Sequence, residues 1–319
     1  MRKGRIALAG LAAAAVALSL VNASWIAGTP PGQLVVVGHR GTAQPIDRAA
    51  AGDGCSAHHI RPIVHTYIEN TIFAMQGAVA YGARGFALDV QPTADGHAVI
   101  FRDATLECRT NGTGRVRDRP LAYLQQLDVG YGYTPDGGRT FPLRGRGVGA
   151  MPSAAEVIRR YPREQLIFEL REPAAADAIV AAFREAGQPI ATNHGFAGAP
   201  PALARLRSLT RAGWVLDRGA SETCLGDYRR VGWLTIVPES CRGTALAIPR
   251  SGGWTLWGWP YRFLNRLGGA GARFLIIGDG SGGELVGLDQ PEQLGEVPHD
   301  YRGLLLIEDM YDVGRSLQR

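Results

Sequence analysis

Lysine is almost absent from this chain of 319 residues: Lys3 is the one lysine among 34 Lys+Arg. Schiff-base chemistry is therefore excluded from the folded body, and any site that calls for a basic side chain must use arginine. Cysteine is sparse as well, with four residues and no zinc-type spacing among them. An excess of charge of either sign is slight. The formal net charge is +5, and Arg2, Lys3 and Arg5 supply three of those charges ahead of an apolar run, which leaves +2 for the rest. A basic groove for nucleic acid is thus not implied by the high isoelectric point. With 45% hydrophobic and 20% charged residues, the composition also excludes a disordered chain, a collagen-like repeat and a multi-span membrane protein. There is no internal repeat, and no Walker-type phosphate loop or nucleic-acid motif is visible.

What is present begins with a leader. A basic start, an apolar stretch from Ile6 to Val21, and small residues with Val21 and Ala23 at the positions a signal peptidase prefers read as a signal peptide over residues 1–23. The rival is an uncleaved anchor, since a spanning helix needs about 20 apolar residues, and membrane contact is expected only through it. Export, periplasmic or secreted, follows. In an oxidising compartment the even cysteine count points to disulfides. Of three possible pairings the favoured one joins Cys55 to Cys108 and Cys224 to Cys241, the second closing a short loop; four buried free thiols are the alternative.

Short β-rich runs end in polar residues at Leu34 to Arg40, Gly85 to Thr93, Ala98 to Asp103, Gln165 to Arg171, Leu246 to Arg250, Arg273 to Asp279 and Leu304 to Asp309. Amphipathic helical stretches lie between several of them, one from Thr71 to Tyr81 with Thr71 as N-cap and one opened by Ser153. Strands alternating with helices predict an α/β fold, a closed parallel (β/α)8 TIM barrel of one domain over residues 34–319, with its site at the strand C-termini. One feature makes the barrel irregular. Asp95-Gly96 is a hairpin signal, and Val90 to Ala98 is too short for a parallel crossover. Tyr131 to Gly149 reads as a long loop, and Gly278 to Gly283 as a turn-rich barrel loop, because no amphipathic helix opens after it.

Four segments carry the chemistry: Gly38-His39-Arg40-Gly41 at a strand end, Glu69-Asn70-Thr71 at a helix start, Leu88-Asp89-Val90, and Phe168-Glu169-Leu170-Arg171. Taken in this order, with Asp95-Gly96, Val99 to Asp103 and Thr110 to Gly114 between them, they resemble the glycerophosphodiester phosphodiesterase family. The resemblance covers Leu34 to Arg171 by motif and continues weakly through Trp257-Gly258-Trp259. It implies an irregular barrel of the phosphatidylinositol-phosphodiesterase-like type that cleaves glycerophosphodiesters to an alcohol and glycerol 3-phosphate, usually with a divalent cation. By the same resemblance His39 is the nucleophile or base and Arg40 the phosphate-binding arginine. Asp89 and Glu169 match metal ligands, Glu69 is a carboxylate that orients Arg40 or approaches the metal, and Arg171 stands where the family commonly has Lys. Trp257 and Trp259, with Trp254, would line a pocket for glycerol or an acyl tail, or else belong to the barrel core.

Two positions depart from the pattern. Ala87 replaces the first acid of the family's Glu-x-Asp pair, and Arg102 replaces the second catalytic histidine. An arginine cannot exchange protons at neutral pH, so Arg102 is expected to hold phosphoryl oxygens beside Arg40. The two changes make the site more positive, which favours phosphate without a cation; Glu69, Asp89 and Glu169 still leave donors for a weak Ca²⁺ or Mg²⁺ site. Asp89 and Glu169 as a structural ion pair with neighbouring arginines is the competing account. His65, on the long Thr42 to Ile68 loop with His58 and His59, is a candidate for the missing acid, or a surface residue; His97 is expected to point away. Activity reduced or altered, a catalytically inactive barrel that binds a phosphodiester or polyol phosphate, and a phospholipase D-like lipid hydrolase are the three functional expectations. The partner is a small glycerophosphodiester or a lipid head group, and not nucleic acid.

Overall fold

The computed structural model describes residues 2–51, 54–280 and 285–317; Ser281 to Gly283 of the glycine-rich run fall outside them. Among the described residues nine strands form one sheet: β1 Val35–His39, β2 Gly85–Pro92, β3 Ala98–Ile100, β4 Gln165–Leu170, β5 Gly195–Gly198, β6 Trp214–Leu216, β7 Ala245–Pro249, β8 Arg273–Ile277 and β9 Leu304–Ile307. Eight of them run in the order β6-β5-β4-β2-β1-β9-β8-β7 with neighbours parallel, a nearly closed barrel. The expected irregularity is the ninth strand: β3 folds back antiparallel on β2, pairing Val90 with Ile100. Gly96 at φ 83° makes the turn, a backbone region that L side chains rarely adopt. β5 and β6, which the alternation of apolar and polar residues does not signal, are four and three residues long. Runs that short carry no readable period.

Helices lie between the strands, among them Ile72–Ala80, Ala154–Arg160, Pro173–Glu185, Arg218–Val231 and Tyr261–Gly269. Two begin where the sequence places their caps. Thr71 Oγ1 accepts from the Ala74 amide at 3.1 Å, and Ser153 Oγ accepts from the Glu156 amide at 3.1 Å. Among the described residues no helix is long and apolar enough to cross a membrane; the helix Arg2–Asn22 ends beside the short helical turn that follows Arg218–Val231, where Asn22 Nδ2 donates to the Trp233 carbonyl at 2.9 Å.

The buried apolar residues fall into three groups, and two of them shape the site. One fills the barrel interior: Val37, Ala87, Ile167, Leu275 and Leu306 belong to it. Another, with Ile46, Ile60, Phe101, Leu106, Leu127 and Leu143, packs the long segments after β1 and β3 against each other. A disulfide between Cys55 and Cys108 clips those two segments together, and a second between Cys224 and Cys241 ties the helix Arg218–Val231 to the chain entering β7. Both pairings are the favoured ones.

Candidate functional site

The barrel strands place their polar ends by simple alternation. Side chains two residues apart on a strand share a face, so the layer above Val37, Ala87, Ile167 and Leu306 in the barrel interior is His39, Asp89, Glu169 and Glu308. Register supports this between β2 and β4, where Ala87 pairs with Ile167 and Asp89 with Glu169; β1 is offset by one step of the alternation, His39 being level with Ala87. All four polar residues are buried. They close the C-terminal end of the barrel, where such folds keep their sites.

The turn after β1 needs its glycines. A Cβ on Gly38 would meet the Gly41 carbonyl oxygen at 2.5 Å, and one on Gly41 would meet the Ala74 backbone at 2.7 Å. Between them Arg40 takes a left-handed conformation, φ 57°, and its amide donates to the Ala87 carbonyl at 2.7 Å. Asn70 is left-handed too, at φ 62°, with its amide on the Arg40 carbonyl at 2.8 Å. Two non-glycine residues held in that region beside one cluster of charges are a mark of a functional site.

His39 Nδ1 lies 2.7 Å from Glu308 Oε2, which leaves Nε2 as the ring nitrogen for proton exchange. Arg40 is the hub. Its Nε donates to Asp89 Oδ2 at 2.6 Å, and its Nη1 lies 3.4 Å from Glu308 Oε1 and 3.6 Å from Glu69 Oε2. Burial acts against its charge, but Asp89, Glu69 and Glu308 outweigh it and hold the guanidinium protonated. Burial likewise works against the Asp89 carboxylate, and Arg40 and Arg171 overcome it, keeping the group well below the usual carboxylate range. Glu169 goes the other way. Burial and the neighbouring Asp89 charge push its carboxyl up.

Glu69 faces away from this hub as much as toward it. Its Oε1 accepts from Arg109 Nε at 2.6 Å and from Tyr133 Oη at 3.1 Å. Despite burial, Arg109, then Arg40 and Arg102, bring the Glu69 carboxyl down to about 2. Arg109 also donates to Asp103 and, at 2.7 Å, to Ser56 Oγ, while Arg102 reaches the same hydroxyl. Glu308 and Arg109 are functional candidates that sequence reasoning missed. Glu308 stands two residues beyond the apolar Leu306 of β9, an offset shared with Val37/His39 and Ala87/Asp89, and that recurrence was the available signal. Arg109 had none, since Glu69, Ser56 and Tyr133 lie 40, 53 and 24 residues from it in the chain.

The remaining expected residues are spread out. Arg171 joins the cluster, its Nη2 lying 3.2 Å from Asp89 Oδ1 and 3.6 Å from Glu169 Oε1. Trp254 and Trp257 are exposed, so neither is barrel core; the Trp257 indole donates to the Arg229 carbonyl at 2.9 Å, and Trp259 packs on Phe263 with ring centroids 5.6 Å apart. Both contacts are with helices outside the barrel. His65 is buried and not at the surface, its Nδ1 2.9 Å from Gln44 and its Nε2 3.4 Å from Asp309. His97 is partly exposed beside Glu185 at 3.2 Å.

The resemblance implies a divalent cation, and the three expected ligands can be tested against that demand. Asp89 accepts on Oδ2 from Arg40 and from Asn70 Nδ2 at 3.0 Å, and on Oδ1 from Arg171. The two oxygens of Glu69 are turned to Arg109 and Arg40. Among the described residues no group of three or more acidic, histidine or cysteine side chains is arranged to hold an ion. A hard cation asks for six or more oxygens around one point. The donor set does not fit it.

The structure is similar to solved phosphodiesterases. It aligns with the glycerophosphoryl diester phosphodiesterase domain of an uncharacterized Mycobacterium tuberculosis protein at a TM-score of 0.63 and 17% identity, covering 90% of this chain and 99% of that one. A phosphodiesterase of Oleispira antarctica, solved with the product sn-glycerol-3-phosphate, aligns at 0.56 and 18%, covering 91% and 98%. In sequence, the Mycobacterium tuberculosis protein is 35% identical over 100 residues, 31% of this chain and 33% of the relative. A glycerophosphodiester phosphodiesterase of Caldanaerobacter subterraneus is 48% identical over 62 residues, 19% and 26% of the two chains. The chain thus spans about a third or less of the length of these curated relatives. Residues 54–177 match the family model described as glycerophosphoryl diester phosphodiesterase family, the segment that holds the Glu69, Asp89 and Glu169 motifs.

Proposed function

We propose that this chain is an exported phosphoric diester hydrolase that cleaves glycerophosphodiesters to an alcohol and glycerol 3-phosphate. The observation that carries this is the His39–Glu308 pair, at 2.7 Å, beside an arginine locked onto Asp89 at the mouth of the barrel. Glu308 fixes the imidazole by its Nδ1, so Nε2 is the atom that takes the proton of the attacking oxygen. Arg40, Arg102 and Arg171 are the cationic groups for the phosphoryl oxygens, with planar forks suited to an anionic pair. The leaving alkoxide needs a proton, and Arg102 cannot release one at neutral pH; loss of a positioned acid costs on the order of 10² to 10⁴ in rate, so turnover is slow. Two disulfides support export of a single folded body that follows a leader.

The test is glycerol 3-phosphate release from glycerophosphocholine by the mature protein, with Ca²⁺, Mg²⁺ or EDTA, beside His39→Ala. Turnover above the solution background that disappears in His39→Ala is the expected result; silence under all three conditions sinks it. A second reading, a barrel that binds a phosphodiester without cleaving it, is favoured by Ala87 lying in the apolar layer beneath the site and by Arg102 on Ser56. Activity appearing only in Ala87→Glu with Arg102→His would establish it. Free head-group alcohol from a choline lipid would mark phospholipase D-like chemistry instead.

A further inference from the structure

We infer that the chain supplies its own cation: Arg171, seated between Asp89 and Glu169, with Arg40 between Asp89, Glu69 and Glu308, lets the site take a phosphate-bearing anion with no divalent metal. This rests on the phosphodiester reading and deepens it. The argument starts from where the guanidinium groups are. Asp89 and Glu169 are register partners on adjacent strands, the two positions that match metal ligands, and one Arg171 nitrogen spans them at 3.2 and 3.6 Å. A bridging ion would have to stand there. To enter, it must strip Asp89 of Arg171 on one oxygen and of Arg40, at 2.6 Å, on the other. Stripping a buried arginine leaves an uncompensated charge, a strongly unfavourable exchange.

The third ligand position reinforces the point. At residue 87 the chain has a methyl group in place of an acid, 2% exposed and packed among Val37, Ile167 and Leu306. Nothing there offers oxygen to a metal, and the carboxylates that remain each face an arginine already. The Arg171 side chain is 36% exposed, so it borders the opening of a site whose carboxylates and Arg40 are buried. There it can meet an incoming anion without being dragged out of the core.

The experiment titrates the chelator-treated wild-type protein by calorimetry with Ca²⁺ and, separately, with Mg²⁺, and then with sn-glycerol 3-phosphate as the anion probe in EDTA and in Ca²⁺. No saturable cation uptake tighter than about 10⁻³ M, and a probe affinity equal within about twofold in EDTA and Ca²⁺, are expected. Arg171→Met should weaken the probe by about tenfold or more, with circular dichroism confirming the fold; the wild-type titrations stand whether or not that variant folds. Saturable uptake of either ion below that concentration, or probe binding that requires the ion, overturns the inference. A probe that binds in neither buffer defeats the phosphodiester reading, and the cation titration alone then decides this one.

Discussion

Glu308 does more at the site than its place at a strand end announces. Its Oε2 takes the His39 ring at 2.7 Å and the Gly287 amide at 3.0 Å, while Oε1 faces Arg40 at 3.4 Å. Gly287 must be glycine for this, because a Cβ there would meet the Glu308 amide nitrogen at 2.3 Å. A carboxylate on the far nitrogen of an imidazole selects the tautomer and steadies the imidazolium formed during proton transfer. Glu308→Gln keeps the shape and removes the charge. It should lower kcat by on the order of 10² or more with KM little changed, and initial rates over a range of substrate concentrations check this. An equal loss in KM would mean that Glu308 serves binding through Arg40 instead.

At the scale of elements, the site depends on two long segments that are not part of the barrel. Glu69 and Ser56 come from the segment after β1, Asp103, Arg109 and Tyr133 from the segment after β3, and their shared apolar core is small. The Cys55–Cys108 bond closes a separation of 53 residues and Cys224–Cys241 one of 17. Loop-closure entropy alone assigns the first about 4 kcal/mol and the second about 3 kcal/mol. The double variant Cys55→Ser with Cys108→Ser should therefore lower stability more than its counterpart at Cys224 and Cys241. It should also weaken the site, since both ends of the Arg109 network hang on that clip. Urea unfolding of the two variants gives the order, and the reverse order would show that the apolar packing already holds the segments. The elements themselves were legible where their period was long enough, as with Thr71 to Tyr81 or Gln165 to Arg171. They were not legible where three or four residues of β5 and β6 took their structure from the neighbouring strands.

For the molecule as a whole, buried arginine–carboxylate pairing sets the response to acid. Glu69 is lowered from 4.5 to about 2 because Arg109, Arg40 and Arg102 outweigh its burial. A carboxylate with a depressed folded pKa contributes stability that is fully present above its unfolded pKa and is lost as pH falls through the folded one. That window runs from about pH 4.5 down to about pH 2 and is worth on the order of 3 kcal/mol. Thermal unfolding of the wild type should fall through that window, whereas Glu69→Gln should start lower at neutral pH and decline less. Parallel curves for the two proteins would place the acid sensitivity elsewhere.

The sequence by itself determined the alternation of strands and helices, the hairpin irregularity and the order of His39, Arg40, Glu69, Asp89 and Glu169, because each follows from local alternation, caps, turns or a motif in order; it favoured one set of cysteine pairs, which the fold then fixed. Tertiary structure alone decided which charges meet. Arg109 reaches Glu69 across 40 residues and Glu308 reaches His39 across 269, and no local pattern reports contacts of that range. The competing account of Asp89 and Glu169, as acids paired with arginine, could be weighed only once Arg40 and Arg171 were seen upon them. The physical reason is that a strand's alternation dictates the face a side chain takes, while its partner is chosen by how the strands close into a barrel.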